Sequence, residues 1–325
     1  MNSKAWFGVG FALVAGACGD DAPATVDAPV VVIDAPPMVD APDPIGFMSD
    51  EGGEVRFEYV GFGVGTGALE GTASARVIAF FEGNDDVDFH SYPTIPGCTL
   101  MTDDTKWPTS QPTNRQYIDV GQLTLTNGTK VLNVPKNPAP ADALSRVHGA
   151  NNHYLHFTPG TIPNDAATYI TEKTSYDVIF SGSTTWPAQI FPDAIQMPAA
   201  FSLTTPSITT PIVLAANTAL TINWTPVPAG QPAGVPAPWV AIGFVVGGTA
   251  ATPGAIVLCV EPQDDGSLTI PADMVNAVRT AGPAGTMIRQ TFIHQVRELT
   301  NGTTVKRRRI DMLGVWCHAT GYSSN

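Results

Sequence analysis

The sequence predicts an all-β protein with two β-sandwich domains in tandem, and three observations lead to this fold class. Only 14% of the 325 residues are charged, while 43% are hydrophobic, which argues against coiled coils, helical bundles and disordered acidic chains. Glycine and proline are abundant, at 31 and 29 residues. Beyond residue 45 apolar and polar residues alternate, with turn residues about every eight to twelve positions, as in sandwiches and barrels.

The first predicted domain covers residues 46–200. Val55 and Phe57 alternate with polar residues, after which the apolar positions shift to Val60 and Phe62, so a β-bulge is expected near Val60. The glycine-rich run GFGVGTGALEG that follows does not match a phosphate-binding loop, and it predicts a strand closely approached by another backbone. Further strands are predicted at 73–81, 122–126, 130–134, 154–157, 176–180 and 201–204, with a hairpin turn at Asn127-Gly128.

The second predicted domain covers residues 201–325, and the boundary is placed in the proline-punctuated stretch 198–211. One helix is predicted from Pro271 to Arg279, because proline begins it and Gly282-Pro283 follows its end. The strands of this domain are predicted at 212–214, 220–226, 240–246, 256–260, 287–299 and 303–316, with a hairpin turn at Asn301-Gly302.

The N-terminus has the pattern of an export signal. Lys4 precedes an apolar run from Ala5 to Ala17, which is long enough for a signal peptide (residues 1–17) and too short to span a bilayer. Leu13 to Cys18 resembles the lipobox of bacterial lipoproteins, with a departure at Ala15, where that family prefers leucine. The resemblance implies cleavage before Cys18 and lipidation of its sulfur. The alternative is a secretory signal cut near Ala17, followed by an ordinary cysteine.

Residues 18–45 are predicted to be a lipidated cysteine followed by a disordered tether. Asp-Ala-Pro recurs at Asp21, Asp27, Asp34 and Asp40, and proline with unbalanced negative charge favours an extended chain of up to about 80 Å. Lipid chains on Cys18 would anchor the protein without a transmembrane helix. Because Asp, the residue of the inner-membrane retention signal, does not follow Cys18, an outer-membrane lipoprotein is expected.

Two further segments extend the resemblance. The stalk behind the lipobox, then LTINWTP, then CVEPQDDGSLTIPADMV, together resemble two-domain lipoproteins of myxobacterial-type Gram-negative bacteria. LTINWTP is also similar to the second-strand region of immunoglobulin and fibronectin III sandwiches. The resemblance implies a location and a fold, and it implies no activity.

Three cysteines remain if Cys18 is lipidated, and an exported protein is expected to pair two of them. Three pairings are open. Cys259 with Cys317 is favoured, because each lies in an apolar run of the second predicted domain, and Cys98 would then be free.

No catalytic residue, metal ligand or cofactor is predicted. The six histidines show no metal-binding spacing, G-x-S-x-G is absent, and the acidic loops 84–88 and 263–266 are ordinary turn sequences. The candidate binding patch consists of aromatic residues beside prolines in predicted loops: Trp107, Trp186 and Phe191. Buried lids over the sheet ends would show the same residues.

The predicted function is a lipid-anchored envelope protein that binds or adheres to an unknown protein or glycan without catalysis. A net charge of -13 repels phosphate backbones, so nucleic acid is not an expected partner. Two alternatives remain at this point: an envelope-exposed hydrolase whose catalytic carboxylates are dispersed in the sequence, and a purely structural spacer of the envelope.

Overall fold

The strands and helices were located in a computed structural model, which describes residues 51–82, 97–101, 118–136, 154–156, 163–184, 186–200, 203–207, 209–226, 235–246, 255–300 and 307–324. The strands are β1 (Glu51–Phe62), β2 (Ala73–Glu82), β3 (Gly97–Met101), β4 (Leu123–Thr126), β5 (Val131–Val134), β6 (Tyr154–His156), β7 (Ser175–Phe180), β8 (Gln189–Gln196), β9 (Leu203–Thr205), β10 (Ile212–Leu214), β11 (Leu220–Trp224), β12 (Trp239–Val246), β13 (Ala255–Pro262), β14 (Ser267–Ile270), β15 (Ala284–Thr300) and β16 (Arg307–Ser324). The α-helices are α1 (Ala166–Tyr169) and α2 (Ala272–Ala281).

A nine-stranded sheet dominates the fold, with eight strands in the order β3-β13-β12-β15-β16-β1-β2-β6 and β10 paired to β16. Its centre is the long antiparallel pair β15 and β16, and β1 joins β16 in parallel. Two smaller sheets, β5-β4-β7-β8 and β14-β11-β9, complete the described strands. The prediction of an all-β, sandwich-like protein is therefore confirmed.

The predicted division into domains 46–200 and 201–325 does not describe this sheet. Strands β1, β2, β3 and β6 come from before residue 200, and β10, β12, β13, β15 and β16 come from after it, yet all nine belong to one sheet. The proline-rich stretch near residue 200 is thus a connection between two parts of one structure. Alternation shows which residues of a strand share a side, but it does not show which strand lies next to it.

One face of the large sheet is covered by the two smaller sheets, and we call it the covered face. At the β1 and β2 end, the four-stranded sheet packs on Val55, Phe57 and Phe81 to form the first apolar cluster. At the β12 and β13 end, the second cluster joins the three-stranded sheet and α2 to Ile242 and Phe244. The two clusters are the two cores of a sandwich-like arrangement.

Helix α2 confirms the predicted helix to within two residues at its end. Pro271 precedes its first turn, and Val275 and Val278, one turn apart, are the buried residues on its inner side. A hairpin turn also forms at Asn127-Gly128, but the connection between β4 and β5 is four residues long, 127–130, and not the predicted two. Gly128 adopts a positive φ of 84°, and Oδ1 of Asn127 accepts hydrogen bonds from the N–H groups of Thr129 and Lys130. The turn predicted at 301–302 lies outside the described residues.

The opposite face carries a third apolar cluster, which includes Val60, Phe62, Val315 and Cys317. The bulge predicted near Val60 is absent, because β1 keeps a continuous register with both β2 and β16. The apolar positions shift along β1 for another reason: the strand first contributes Val55 to the covered face and then Val60 to the opposite face.

The disulfide predicted between Cys259 and Cys317 is wrong, and Cys259 is bonded to Cys98 instead. Cys98 and Cys259 are directly opposite on the antiparallel pair β3 and β13, with Cα atoms 4.0 Å apart. Cys317 lies on β16, separated from β13 by two strands, which amounts to about 14 Å at the usual strand spacing. That separation exceeds the reach of a disulfide, which is about 7 Å between Cα atoms.

Reduction of the Cys98–Cys259 bond should destabilise the protein by up to about 5 kcal/mol, because the bond closes a loop of 161 residues. Non-reducing peptide mapping should recover the Cys98 and Cys259 peptides joined. The buried Cys317 should react with iodoacetamide only after unfolding, since burial raises the pKa of its thiol to about 12. A joined peptide that contains Cys317 would contradict this assignment.

Candidate functional site

The aromatic residues predicted as an exposed binding patch are not exposed. Trp186 is 1% accessible and Phe191 is 6% accessible, and both pack in the first apolar cluster against Phe180. They are parts of the core, as in the alternative of buried lids, and the prediction of a binding patch on Trp186 and Phe191 is wrong. Trp107 lies outside the described residues.

A different group of aromatic side chains lies on the covered face, between the first and second apolar clusters. Tyr59 of β1 stacks on Trp316 of β16, with ring centroids 4.0 Å apart and planes 7° apart. His318, two residues further along β16, lies 5.4 Å from the Tyr59 ring. All three rings are partly exposed, so we call Tyr59, Trp316 and His318 the central aromatic patch.

The parallel register of β1 and β16 builds this patch. It sets Tyr59 opposite Trp316 and Gly61 opposite His318. A Cβ atom at Gly61 would lie 2.6 Å from Nδ1 of His318, so the absence of a side chain at Gly61 lets the imidazole occupy that space.

The strand predicted over the glycine-rich run is wrong beyond Phe62, because β1 ends there and Gly67–Leu69 form a short 3-10 helix. The predicted backbone approach occurs at Gly65, where a Cβ atom would lie 2.9 Å from Cα of Gly321. At Gly61 the approaching group is the side chain of His318.

His318 is held in its neutral form. The indole N–H of Trp316 donates a hydrogen bond to Nε2 of His318 over 3.2 Å, which requires that Nε2 carry no proton. Burial, together with the nearby cation of Arg289, lowers the pKa of His318 to about 4. At neutral pH the patch therefore presents aromatic and weakly polar surface, and its imidazole carries no charge.

Arg289 lies beside the patch on β15, where it is the register partner of His318. Its side chain is only 3% accessible, and its Nε and Nη1 atoms have no hydrogen-bond partner. The hydroxyl of Thr291, two residues further along the same side of β15, is also buried and unpartnered. Such groups are uncommon in folded proteins and point to a bound partner or a strained site.

The patch offers binding groups and no catalytic set. Its rings can contact the apolar face of a ligand. Beside it, the buried N–H groups of Arg289 can donate hydrogen bonds to a ligand's oxygens. Sequence reasoning missed these residues because they look like ordinary strand positions. Alternation does put Trp316 and His318 on one side of a strand, but only the pairing with β1 adds Tyr59.

A buried ionic cluster occupies the opposite face of the same strands. Glu58 of β1 forms ion pairs with Arg56 on its own strand and Arg76 on β2, and all three side chains are almost inaccessible. Burial opposes the ionisation of Glu58, but the two guanidinium groups outweigh it and hold the pKa of Glu58 below its usual range. The two guanidinium groups compensate the charge of Glu58, so this carboxylate is a paired part of the core.

Glu54 and Asp311 lie at the other end of this cluster, and the register of β1 and β16 sets them opposite each other. Burial raises the pKa of Glu54 to about 7, and the neighbouring carboxyl groups of Asp311 and Glu58 act in the same direction against the lowering effect of Arg56. Asp311 also contacts His294, with Nε2 and Oδ1 atoms 2.7 Å apart. Two carboxyl groups from distant parts of the sequence are thus brought side by side.

In the segments that the structure describes, no three His, Cys, Asp or Glu side chains gather in a way that could hold a metal ion. The acidic loop 263–266 forms a short 3-10 turn, closed by Gly266 in the left-handed conformation. No helix in the same segments is long and apolar enough to cross a membrane. Cys18 and the acidic loop 84–88 lie outside the described residues.

The fold and the patch define the chain as an all-β, sandwich-like protein with a partly exposed aromatic group at the junction of its two cores. No protein-family model matches the sequence. A search of curated proteins gives no significant match either. Its function therefore has to be argued from its own residues.

Replacing Glu54 by glutamine should change how stability depends on pH. With a pKa near 7 when folded and near 4.5 when unfolded, Glu54 favours the folded state below pH 4.5, and this contribution is lost as the pH rises through 7. The glutamine in Glu54→Gln stays neutral at both pH values. The free energy of unfolding of this variant should therefore exceed that of the parent by on the order of 1 to 3 kcal/mol at pH 8 and equal it at pH 4. Urea unfolding at the two pH values measures the difference.

The exposed Glu70 provides the control. Glu70→Gln should leave the difference between pH 4 and pH 8 as it is in the parent. Equal stabilities of the parent and Glu54→Gln at pH 8 would show that the Glu54 carboxyl is solvated rather than buried.

Proposed function

We propose that this protein is a lipid-anchored component of the outer membrane that binds a glycan at the central aromatic patch, without catalysis. The observation that carries the proposal is the partly exposed group of Tyr59, Trp316 and His318 at the junction of the two cores. Aromatic rings stack on the apolar faces of sugars and supply large contact areas at low cost in conformational entropy. The unpartnered hydroxyl of Thr291 nearby can exchange hydrogen bonds with a sugar.

The lipid anchor rests on the sequence around Cys18. Two or three acyl chains at about 0.8 kcal/mol per buried CH₂ hold a protein on a membrane durably. The tether that follows would raise the folded part above the membrane surface, which suits a protein that binds a partner.

Replacing Cys18 by serine tests the anchor. In a Gram-negative host that processes lipoproteins, the parent chain should incorporate labelled palmitate and fractionate with the outer membrane. Cys18→Ser should incorporate none and should lose its membrane association. Cys317→Ser is the matched control, because Cys317 lies in the folded core. If Cys18→Ser incorporated no palmitate but still associated with the membrane as much as the parent does, a lipid anchor would be excluded.

Binding at the patch is tested with Trp316→Ala on an array of bacterial surface glycans. A glycan that the parent chain retains should no longer be retained by Trp316→Ala, since the loss of a ring on which a ligand stacks costs on the order of 1–3 kcal/mol where the ligand is a base. Trp239→Ala is the control, because Trp239 is also a partly buried tryptophan but packs with the opposite face. Equal loss in both variants would indicate a general effect on the fold and would contradict a site at the patch.

A hydrolase is the second candidate, and one observation favours it. Glu54 and Asp311 lie side by side, and a carboxyl group with a raised pKa beside a second carboxyl is the arrangement that glycoside hydrolases use. Asp311 is already engaged by His294, with Nε2 and Oδ1 atoms 2.7 Å apart, whereas the patch presents partly exposed rings to a ligand, so binding is the stronger proposal. Hydrolysis of a polysaccharide by the parent that is abolished in Glu54→Gln and kept in Glu70→Gln would favour the enzyme.

A further inference from the structure

We infer that the glycan bound at the central aromatic patch is acidic, and that its carboxylate binds the guanidinium group of Arg289. This inference rests on the proposed function and adds the chemical class of the ligand. Its basis is a buried cation whose Nε and Nη1 atoms have no hydrogen-bond partner among the described residues, at the edge of a partly exposed aromatic surface.

The position of Arg289 follows from the register of three strands. On the covered face its direct neighbours are Ile242 of β12 and His318 of β16. Met287 and Thr291 lie on the same side of its own strand, because they are two positions away. The guanidinium group is therefore surrounded by apolar and neutral side chains in this part of the sheet, next to the ring of His318.

Among the described residues, no carboxylate pairs with this charge. Burial lowers the pKa of Arg289 to about 10, so the group is still a cation at neutral pH. In the described part of the chain, the ionisable group that favours the charged form of Arg289 is the thiol of Cys317. The pKa of that thiol is raised to about 12, so it is protonated and carries no charge at neutral pH.

The contrast with the ionic cluster on the opposite face gives this observation its weight. Glu58 is equally inaccessible, but two guanidinium groups pair with it. A buried charge without a partner costs several kcal/mol, and a buried unsatisfied group in a native structure therefore calls for a specific explanation, of which a bound ligand is the one proposed for Arg289. A carboxylate suits Arg289, because its two oxygens can accept the parallel N–H groups of a guanidinium.

The neighbouring groups favour a sugar acid over an acidic peptide. The hydroxyls of Thr291 and of Thr320, a diagonal neighbour of Arg289 on β16, are both buried and unpartnered. A hydroxyl donates and accepts at once, which matches the hydroxyls of a sugar ring. Together with the rings of the patch, these groups fit a uronic acid residue: Arg289 for the carboxylate, the threonines for hydroxyls, and the aromatic surface for the C–H face.

Calorimetric titration of the full chain tests the inference. The probes are a galacturonate trisaccharide, a galactose trisaccharide of the same length, an acidic hexapeptide and inorganic phosphate. The parent should bind the galacturonate trisaccharide, and Arg289→Met should weaken that binding about 10- to 100-fold, as expected for a hydrogen bond to a charged group. Arg289→Lys keeps the charge without the planar fork and should lie between the two.

Arg297→Met is the matched control. Arg297 lies on the same strand and the same side as Arg289, but it is partly exposed and donates a hydrogen bond to the carbonyl of Asp193. Arg297→Met removes the same charge as Arg289→Met. Its affinity for the galacturonate trisaccharide should stay within about twofold of the parent's, because exposed charges act weakly. Arg289→Met without ligand should melt no lower than the parent, since it removes an uncompensated buried charge. A lower melting temperature would assign Arg289 a structural role and would overturn the inference.

The remaining outcomes separate the inference from the proposed function. Equal binding of the galacturonate and galactose trisaccharides, lost in Trp316→Ala and kept in Arg289→Met, would overturn the acidic ligand and leave glycan binding intact. If the parent bound phosphate or the peptide and neither sugar, both the inference and the proposed glycan binding would be overturned. The same would follow if the parent bound none of the glycans.

Discussion

The parallel pairing of β1 with β16 is the constraint on which the rest of the structure depends. It joins the first described strand to the last, and through β2 and β15 it connects both cores to one sheet. The same register sets Tyr59 against Trp316 on the covered face and Glu54 against Asp311 on the opposite face. A shift of one residue would move each of these side chains to the other face, so one backbone pairing determines both groups.

Both faces of the sheet around β1 and β16 carry buried ionisable groups. Whether each charge is compensated within the chain distinguishes the structural groups from the proposed binding group. On the opposite face, Glu58 has two arginine partners, while a pKa raised to about 7 lets Glu54 hold a proton up to near-neutral pH. On the covered face, His318 remains neutral, but Arg289 is a cation with unpartnered donors. The charges of Glu58, Glu54 and His318 are paired or neutralised within the chain. Arg289, in contrast, requires a partner from outside it.

Local features of the fold could be predicted from the sequence, and long-range features could not. Alternation gave the strand positions, proline and glycine located α2, and Asn127-Gly128 located a hairpin, because each depends on neighbouring residues. The bond between Cys98 and Cys259 depends on β3 lying beside β13, and no local pattern encodes a pairing between segments 161 residues apart. The same limit applies to the patch, whose members come from β1 and β16, at opposite ends of the described chain.

The aromatic residues show the limit in a second way. Trp186 beside a proline was a reasonable candidate for an exposed loop anchor, yet it packs on Phe81 and Phe180. Trp316 lies in an apolar run that is typical of a core strand, yet it is partly exposed. Burial depends on what covers a position. Trp186 lies within the first cluster, whereas Trp316 lies at the edge where this cluster ends.

That edge also suits a protein carried on a tether. Strand β1 begins at Glu51, and Tyr59 is eight positions further along it. At about 3.3 Å per residue, the patch lies about 26 Å along the sheet from the start of β1. If Cys18 holds the chain on a membrane through the proposed tether, the start of β1 is the nearer end and the patch is displaced from it, which would give a large glycan room to approach the rings and Arg289. Under that proposal, the pairing that assembles the site would also separate it from the point of attachment.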